Sequence, residues 1–221
     1  MRILICNSKN WFSLEEEIHL SHNVKEIFKK ENLTKEFVED FQPDLIFFVH
    51  WNWIVDKDIH GNFECVVFHT APLPHGRGGS PIQNLILDGH NSAPVCALKM
   101  VSELDAGPVY CAEEVTLSGD LSAILSKISA AINKLILDII VNKPKPKAQE
   151  GLPHVYKSLV EADNEIPMDL SLDEIYDRVR MLDHEDYPNA FIHYGKTKLE
   201  FSNAVLNEQS LLLKCKITKL K

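Results

Sequence analysis

Apolar runs and helical stripes alternate along the chain in the order expected of an α/β protein. Residues 2–6 (Arg-Ile-Leu-Ile-Cys) predict a buried first strand that ends at Asn7-Ser8-Lys9-Asn10. Charged and apolar positions mix through 13–31, where a helix is expected near 23–31. Thr34 is suited to cap a short helix to Phe41, with Glu36 and Glu39 in its early turns, and Gln42-Pro43 stops it. Asp44 leads into five apolar residues, enough for a second buried strand over 44–49. The interval between these strands leaves room for fewer elements than a full dinucleotide-binding half. A third strand, 65–68, delivers His69. Pro81 opens a helix over 81–88 that ends before Gly89, with Ser80 as its expected N-cap. Strands 93–101 and 109–115 flank Asp105-Ala106-Gly107. A long helix follows over 121–141, with apolar residues at 121, 124, 125, 128, 132, 135, 136 and 139 on one face.

The Lys-Pro repeats of 142–147 end that helix and begin a linker, and 150–170 reads as extended and irregular. Ser171-Leu-Asp-Glu174 is a capping box that opens a helix to about Leu182. Strands at 190–194, 197–204 and 211–217 follow, with turns at Gly195-Lys196 and Asn207-Glu208. The fold class is therefore α/β, Rossmann-like with a mostly parallel sheet. Residues 1–149 form the expected catalytic domain, and 150–221 a linker, helix and small antiparallel β subdomain, too small for a second catalytic centre.

Residues 69–83 carry the candidate chemistry: His-Thr-Ala-Pro-Leu-Pro-His-Gly-Arg-Gly-Gly-Ser-Pro-Ile-Gln. A histidine leaves an apolar run, and a loop rich in proline and glycine follows it. Open α/β sheets put their ligands at such strand ends. Asp105 ends a second apolar stretch and is placed to reach the same cleft. An imidazole and a carboxylate converging there suit proton transfer and charge stabilisation. Each also has a plainer reading: His69 as a cap on a backbone group, Asp105 as a turn residue before Gly107. Gly76, Gly78 and Gly79 permit the loop's turns, and no Gly-Lys-Ser/Thr makes it a P-loop.

This stretch resembles the folate-dependent formyltransferase family. The family pattern runs roughly Asn-x-His, four residues, Pro, x-x-Arg-Gly, x-x-Pro-Ile, and later Asp-x-Gly. His69, Pro74, Arg77-Gly78, Pro81-Ile82 and Asp105-Ala106-Gly107 match it in order. The run from Asp44, the segment Ile175–Arg180 and Tyr187-Pro188-Asn189-Ala190-Phe191 extend the likeness over most of the chain. The wording of the loop is most similar to a small subgroup that formylates UDP-linked amino sugars of the pseudaminic-acid type. The resemblance implies attack of an amine on the formyl carbon of N10-formyltetrahydrofolate, a co-substrate, with no metal. It makes His69 and Asp105 catalytic. One position departs: Val67 stands where the family has its catalytic asparagine. Loss of that donor slows such a step by ~10²–10³-fold unless another group replaces it. His50 and Asn52, at the end of the neighbouring strand, are the candidates. His50 has a second reading, as a half-buried ring against Trp51 and Trp53.

The resemblance also places the folate slot near Trp51, Asn52, Trp53, Leu73 and Gly78, although the tryptophans serve equally as core. Arg77 offers a fork for an acceptor's phosphate, or braces the loop. Trp11, just beyond the first strand, is a candidate to stack on a nucleotide base.

Net charge is −9, which disfavours a nucleic-acid partner. The lysines after 213 read as guards of an edge strand. The tRNA-acting enzymes resemble this chain only with a larger C-terminal domain, for which no counterpart is visible. The partner expected is a small nucleotide sugar; the exposed β tail also allows a homodimer. Two other activities stay open: formylation of methionyl-tRNA or glycinamide ribonucleotide, and folate binding without catalysis. Five scattered cysteines without a zinc spacing fit reduced thiols. With no signal peptide and no apolar run near the roughly twenty residues of a membrane span, the expected place is the cytoplasm.

Overall fold

The structure, a computed structural model, describes residues 1–220. In chain order the elements are β1 (Arg2–Asn7), α1 (Glu16–Ser21), β2 (Asn23–Ile27), α2 (Lys35–Phe41), β3 (Leu45–Val49), α3 (Lys57–His60), β4 (Cys65–Thr70), β5 (His75–Gly78), α4 (Pro81–Leu87), β6 (Ser92–Lys99) and β7 (Val109–Thr116). Then come α5 (Leu121–Asn142), β8 (His154–Tyr156), α6 (Leu172–Arg180), β9 (Ala190–Tyr194), β10 (Thr197–Asn207) and β11 (Ser210–Lys219). They group into two compact units interleaved along the sequence. One holds Met1–Arg77, Ala93–Val115 and Leu125–His154; the other holds Gly78–Ser92, Thr116–Ile124 and the chain from Val155 onward.

The first unit is built on a sheet of order β2-β1-β3-β4-β6-β7. β1 runs parallel to β2 and β3, β3 parallel to β4, and β4 antiparallel to β6. β1 and β3 are central and parallel, so both faces are covered, and their unbroken apolar runs follow from that. Ile3, Leu4, Ile5, Ile46, Phe47, Phe48 and Val49 are all fully buried. The chain leaves β1 to β2 on one side and continues through β3 on the other. The switch point lies between β1 and β3, where the carboxyl ends of the strands open a crevice. The predicted stripe of α5 is buried at all eight positions. Asn133 on α5 pins the loop after β1: its amide donates to the Ser13 carbonyl and accepts from the Glu15 N–H. Thr34 caps α2 as expected, accepting from the Phe37 N–H at 3.1 Å.

The helix expected near 23–31 is a correction. Asn23–Ile27 is strand β2, followed by a 3-10 turn over Lys30–Asn32. Parallel pairing of this segment with β1 outweighs the helix propensity of its Lys and Glu residues. Two boundaries also move. β4 continues to Thr70, so His69 sits within the strand, and 150–170 contains β8 and a 3-10 turn over Glu161–Asn164.

In the second unit, Ser171 and Glu174 form the predicted capping box of α6. β9, β10 and β11 form an antiparallel sheet of order β11-β10-β9, with a register shift between Ser202 and Val205. Buried Arg180 ties α6 to the carbonyls of Leu117 and Gly119 and to Asp177. Ser80 does not cap α4 as expected. It adopts a left-handed φ of 48°, and its hydroxyl accepts from the Leu159 N–H at 3.0 Å. Among the described residues no helix is long and apolar enough to cross a membrane.

Candidate active site

Strand alternation sets the site. Cys65, Val67 and His69 share one face of β4, and the antiparallel register puts Leu98 opposite Val67 and Cys96 opposite His69. His69 is 8% exposed, and its Nε2 lies 2.7 Å from the Gly76 carbonyl oxygen. A carbonyl only accepts, so Nε2 carries the hydrogen; the tautomer is assigned from this partner. The other ring nitrogen, Nδ1, lies 3.5 Å from Oδ2 of Asp105, which is also 8% exposed. A neutral ring therefore turns its lone pair to the acid. A protonated ring donates to both partners. The pair can hold one mobile proton between Nδ1 and the carboxyl group.

Burial pushes the thiol of Cys96 up to about 11, so it stays protonated at neutral pH and offers no nucleophile beside His69. Cys65 is pushed up to about 12 by the same cause. Of the five thiols only Cys215 is exposed. Titration with Ellman's reagent is expected to show one fast thiol in the native protein. Fast reaction of Cys6, Cys65 or Cys96 would show that this interior opens.

The turn bearing Asp105 is tightly built. Asp105 has a left-handed φ of 52°, rare for a non-glycine residue. Two residues on, the chain passes so close to β6 that a Cβ on Gly107 would lie 1.8 Å from the Lys99 carbonyl oxygen. Gln149 donates its side-chain amide to the carbonyls of Asp105 (2.7 Å) and Gly107 (2.9 Å). The sequence reading missed Gln149. It stands in a linker without periodicity, and nothing local marks it.

Beside this pair is a cavity of about 660 Å³, lined among others by Phe48, Trp51, Trp53, Val67, Met100 and Asp105. Trp51 meets Trp53 edge to face at 4.8 Å and Phe48 at 6.1 Å. Trp51, Trp53 and Asp105 thus come together at one cavity, with Val67 in its wall. His69 stands next to Asp105 without lining the cavity. Asn52 is exposed and Leu73 half-buried, and neither lines it. Lys57 and His60 of α3 do, an element the sequence reading did not place.

The remaining candidates lie elsewhere. His50 is edge-on to Trp11 with ring centroids 5.6 Å apart, and its carbonyl accepts from the Ser8 hydroxyl. Both sit at the carboxyl ends of β1 and β3, by the switch point. The indole N–H of Trp11 is buried without a partner in the protein. Arg77 directs Nε and Nη2 to Oε1 of Gln149 (3.0 and 2.8 Å) and Nη1 to Glu103 (3.2 Å). Gly78 belongs to the second unit, where its φ of 95° brings it against β8; a Cβ there would lie 2.6 Å from the Tyr156 carbonyl oxygen.

A family profile described as the methionyl-tRNA formyltransferase C-terminal domain matches residues 161–218. That match corrects the expectation that the C-terminal domain of the tRNA-acting enzymes is missing here: residues 161–218 match its profile. The methionyl-tRNA formyltransferase of Campylobacter lari is 29% identical over 238 residues, covering 100% of this chain and 77% of that protein. The chain spans 65% and 45% of the length of two other curated relatives it matches. A solved methionyl-tRNA formyltransferase from Clostridium thermocellum superposes with a TM-score of 0.94 at 38% identity, over 99% of both chains. A sugar N-formyltransferase from a Shewanella species shares the fold, with a TM-score of 0.68 at 16% identity over 92% of this chain and 97% of that one.

Proposed function

Because the chain belongs to the folate-dependent formyltransferase family, we propose that it transfers the formyl group of N10-formyltetrahydrofolate to the amine of a nucleotide-linked amino sugar, with a UDP-4-amino-4,6-dideoxy sugar as acceptor. The observation that carries the chemistry is the buried His69–Asp105 pair, whose acid lines an apolar, tryptophan-lined cavity. The flat pterin suits the cavity that Trp51, Trp53 and Met100 line. The amine nitrogen bonds to the formyl carbon, and the carbonyl π pair moves to oxygen. Asp105 takes a proton from the new ammonium and shares it with Nδ1 of His69. The oxyanion's electron pair then re-forms the carbonyl, the bond from carbon to N10 breaks with its electron pair going to N10, and the same proton is delivered there. The Val67 side chain supplies no hydrogen bond to the oxyanion, so that support falls to backbone N–H groups.

The acceptor is argued from charge. Residues 161–218 hold twelve Asp and Glu against six Lys and Arg, a poor surface for tRNA. A sugar nucleotide needs only a local anion contact. Nη1 of Arg77 can supply it, because its present partner Glu103 is 77% exposed and held weakly. His50 and Trp11, in contact at the switch point, form the proposed acceptor side. In this reading residues 1–149 carry the chemistry and 150–221 are the appended subdomain.

The test is incubation with N10-formyltetrahydrofolate and a panel of UDP- and dTDP-amino sugars, glycinamide ribonucleotide and methionyl-tRNA, with products read by mass. A formylated UDP-amino sugar is expected. Formylation of the tRNA instead would overturn the acceptor. Folate binding with no transfer to any amine would mean that catalysis was lost with the asparagine.

A further inference from the structure

We propose that Gln149 is a positioning residue for Asp105, itself held by Arg77; the proposal rests on the formyl-transfer reading above. Asp105 must keep a left-handed backbone that L-residues adopt only at a cost. Such a conformation persists when its surroundings fix it. Gln149 does this with every hydrogen-bonding site of its amide. Its two N–H groups go to the carbonyls of Asp105 and Gly107, and Oε1 accepts both Nε and Nη2 of Arg77. With guanidinium donors on one side and carbonyl acceptors on the other, the amide cannot be flipped. Three stretches of chain meet at this side chain: β5, the 103–107 turn and the linker after α5. The 3.5 Å separation of Asp105 from His69 is set by a turn that Gln149 clamps.

Glutamate cannot replace it. Gln149→Glu keeps the acceptor for Arg77 but removes both donors and sets a carboxylate oxygen against two carbonyls. Gln149→Glu and Gln149→Ala are each expected to lower kcat about 30-fold with KM for the folate within about threefold, the pattern of a misplaced reacting group. Arg77→Lys, which retains one donor, is expected to fall between them and wild type. Since Gln149 acts through Asp105, Gln149→Ala should cost less than about threefold more in an Asp105→Asn background. Additive losses, or a rise in KM alone, would overturn the proposal. Hydrogen–deuterium exchange reads the clamp without turnover. The 103–107 amides should exchange about tenfold faster in Gln149→Ala while β1 and β3 stay protected. Unchanged exchange there would also overturn it. A wild-type chain that binds the folate but formylates nothing would instead refute the reading of the site, and the exchange result would still decide the role of Gln149.

Discussion

His69→Ala is expected to lower kcat for formyl transfer by about 10²–10⁴-fold, the usual worth of a proton-transferring side chain, with folate affinity nearly unchanged. The ring makes two contacts that bear on chemistry: Nε2–H to the Gly76 carbonyl and Nδ1 toward Asp105. Without it Asp105 has no base with which to share the amine's proton before N10 takes it. Folate affinity should survive, because the cavity is lined by Trp51, Trp53 and Met100 and not by the imidazole. Alanine also strands the buried Gly76 carbonyl, at about 1–3 kcal/mol. His69→Gln separates the two effects, since its amide N–H can still serve Gly76 but cannot relay a proton. Thermal melting, folate titration and kcat on both variants check this. Turnover of His69→Gln near wild type would remove the ring from the mechanism.

Gly107→Ala is expected to destabilise the fold by about 3 kcal/mol or more. The added methyl meets the Lys99 carbonyl oxygen at 1.8 Å, and that oxygen is backbone in β6, with no side chain to swing aside. The strain is steric and comes from close approach. Gly89→Ala is the control: its φ is 80° but nothing lies within 4 Å of the new atom. That variant should lose only about 1–2 kcal/mol, the cost of a left-handed L-residue. Denaturant midpoints of the two variants decide it. Equal losses would mean that the turn can move away from β6 freely.

Much of this was legible in the sequence because it is local or periodic. The apolar runs of β1 and β3, the stripe of α5 and the caps at Thr34 and Ser171 each carry their own signal. His69 and Asp105 were legible as a pair only through their surrounding motif. What escaped depended on distant partners. β2 is a strand because β1 lies beside it. Ser80 turns its hydroxyl to Leu159, far along the chain. Arg77 spends its fork on Gln149 and Glu103, and no window around either residue holds the other. The strand end at His50 was placed correctly, and its ring also meets Trp11, a contact that no local pattern signals.

The interleaved units bear on how this polypeptide is made. The segment Gly78–Ser92 clusters with Thr116–Ile124 and with residues from Val155 onward. On a ribosome, which releases the amino end first, α4 therefore waits through the synthesis of more than sixty later residues before the last part of its unit begins to emerge. The first unit matures only when Leu125–His154 has emerged. Severing the gene after residue 149 would leave Gly78–Ser92 and Thr116–Ile124 in one product and the residues from Val155 that they cluster with in the other.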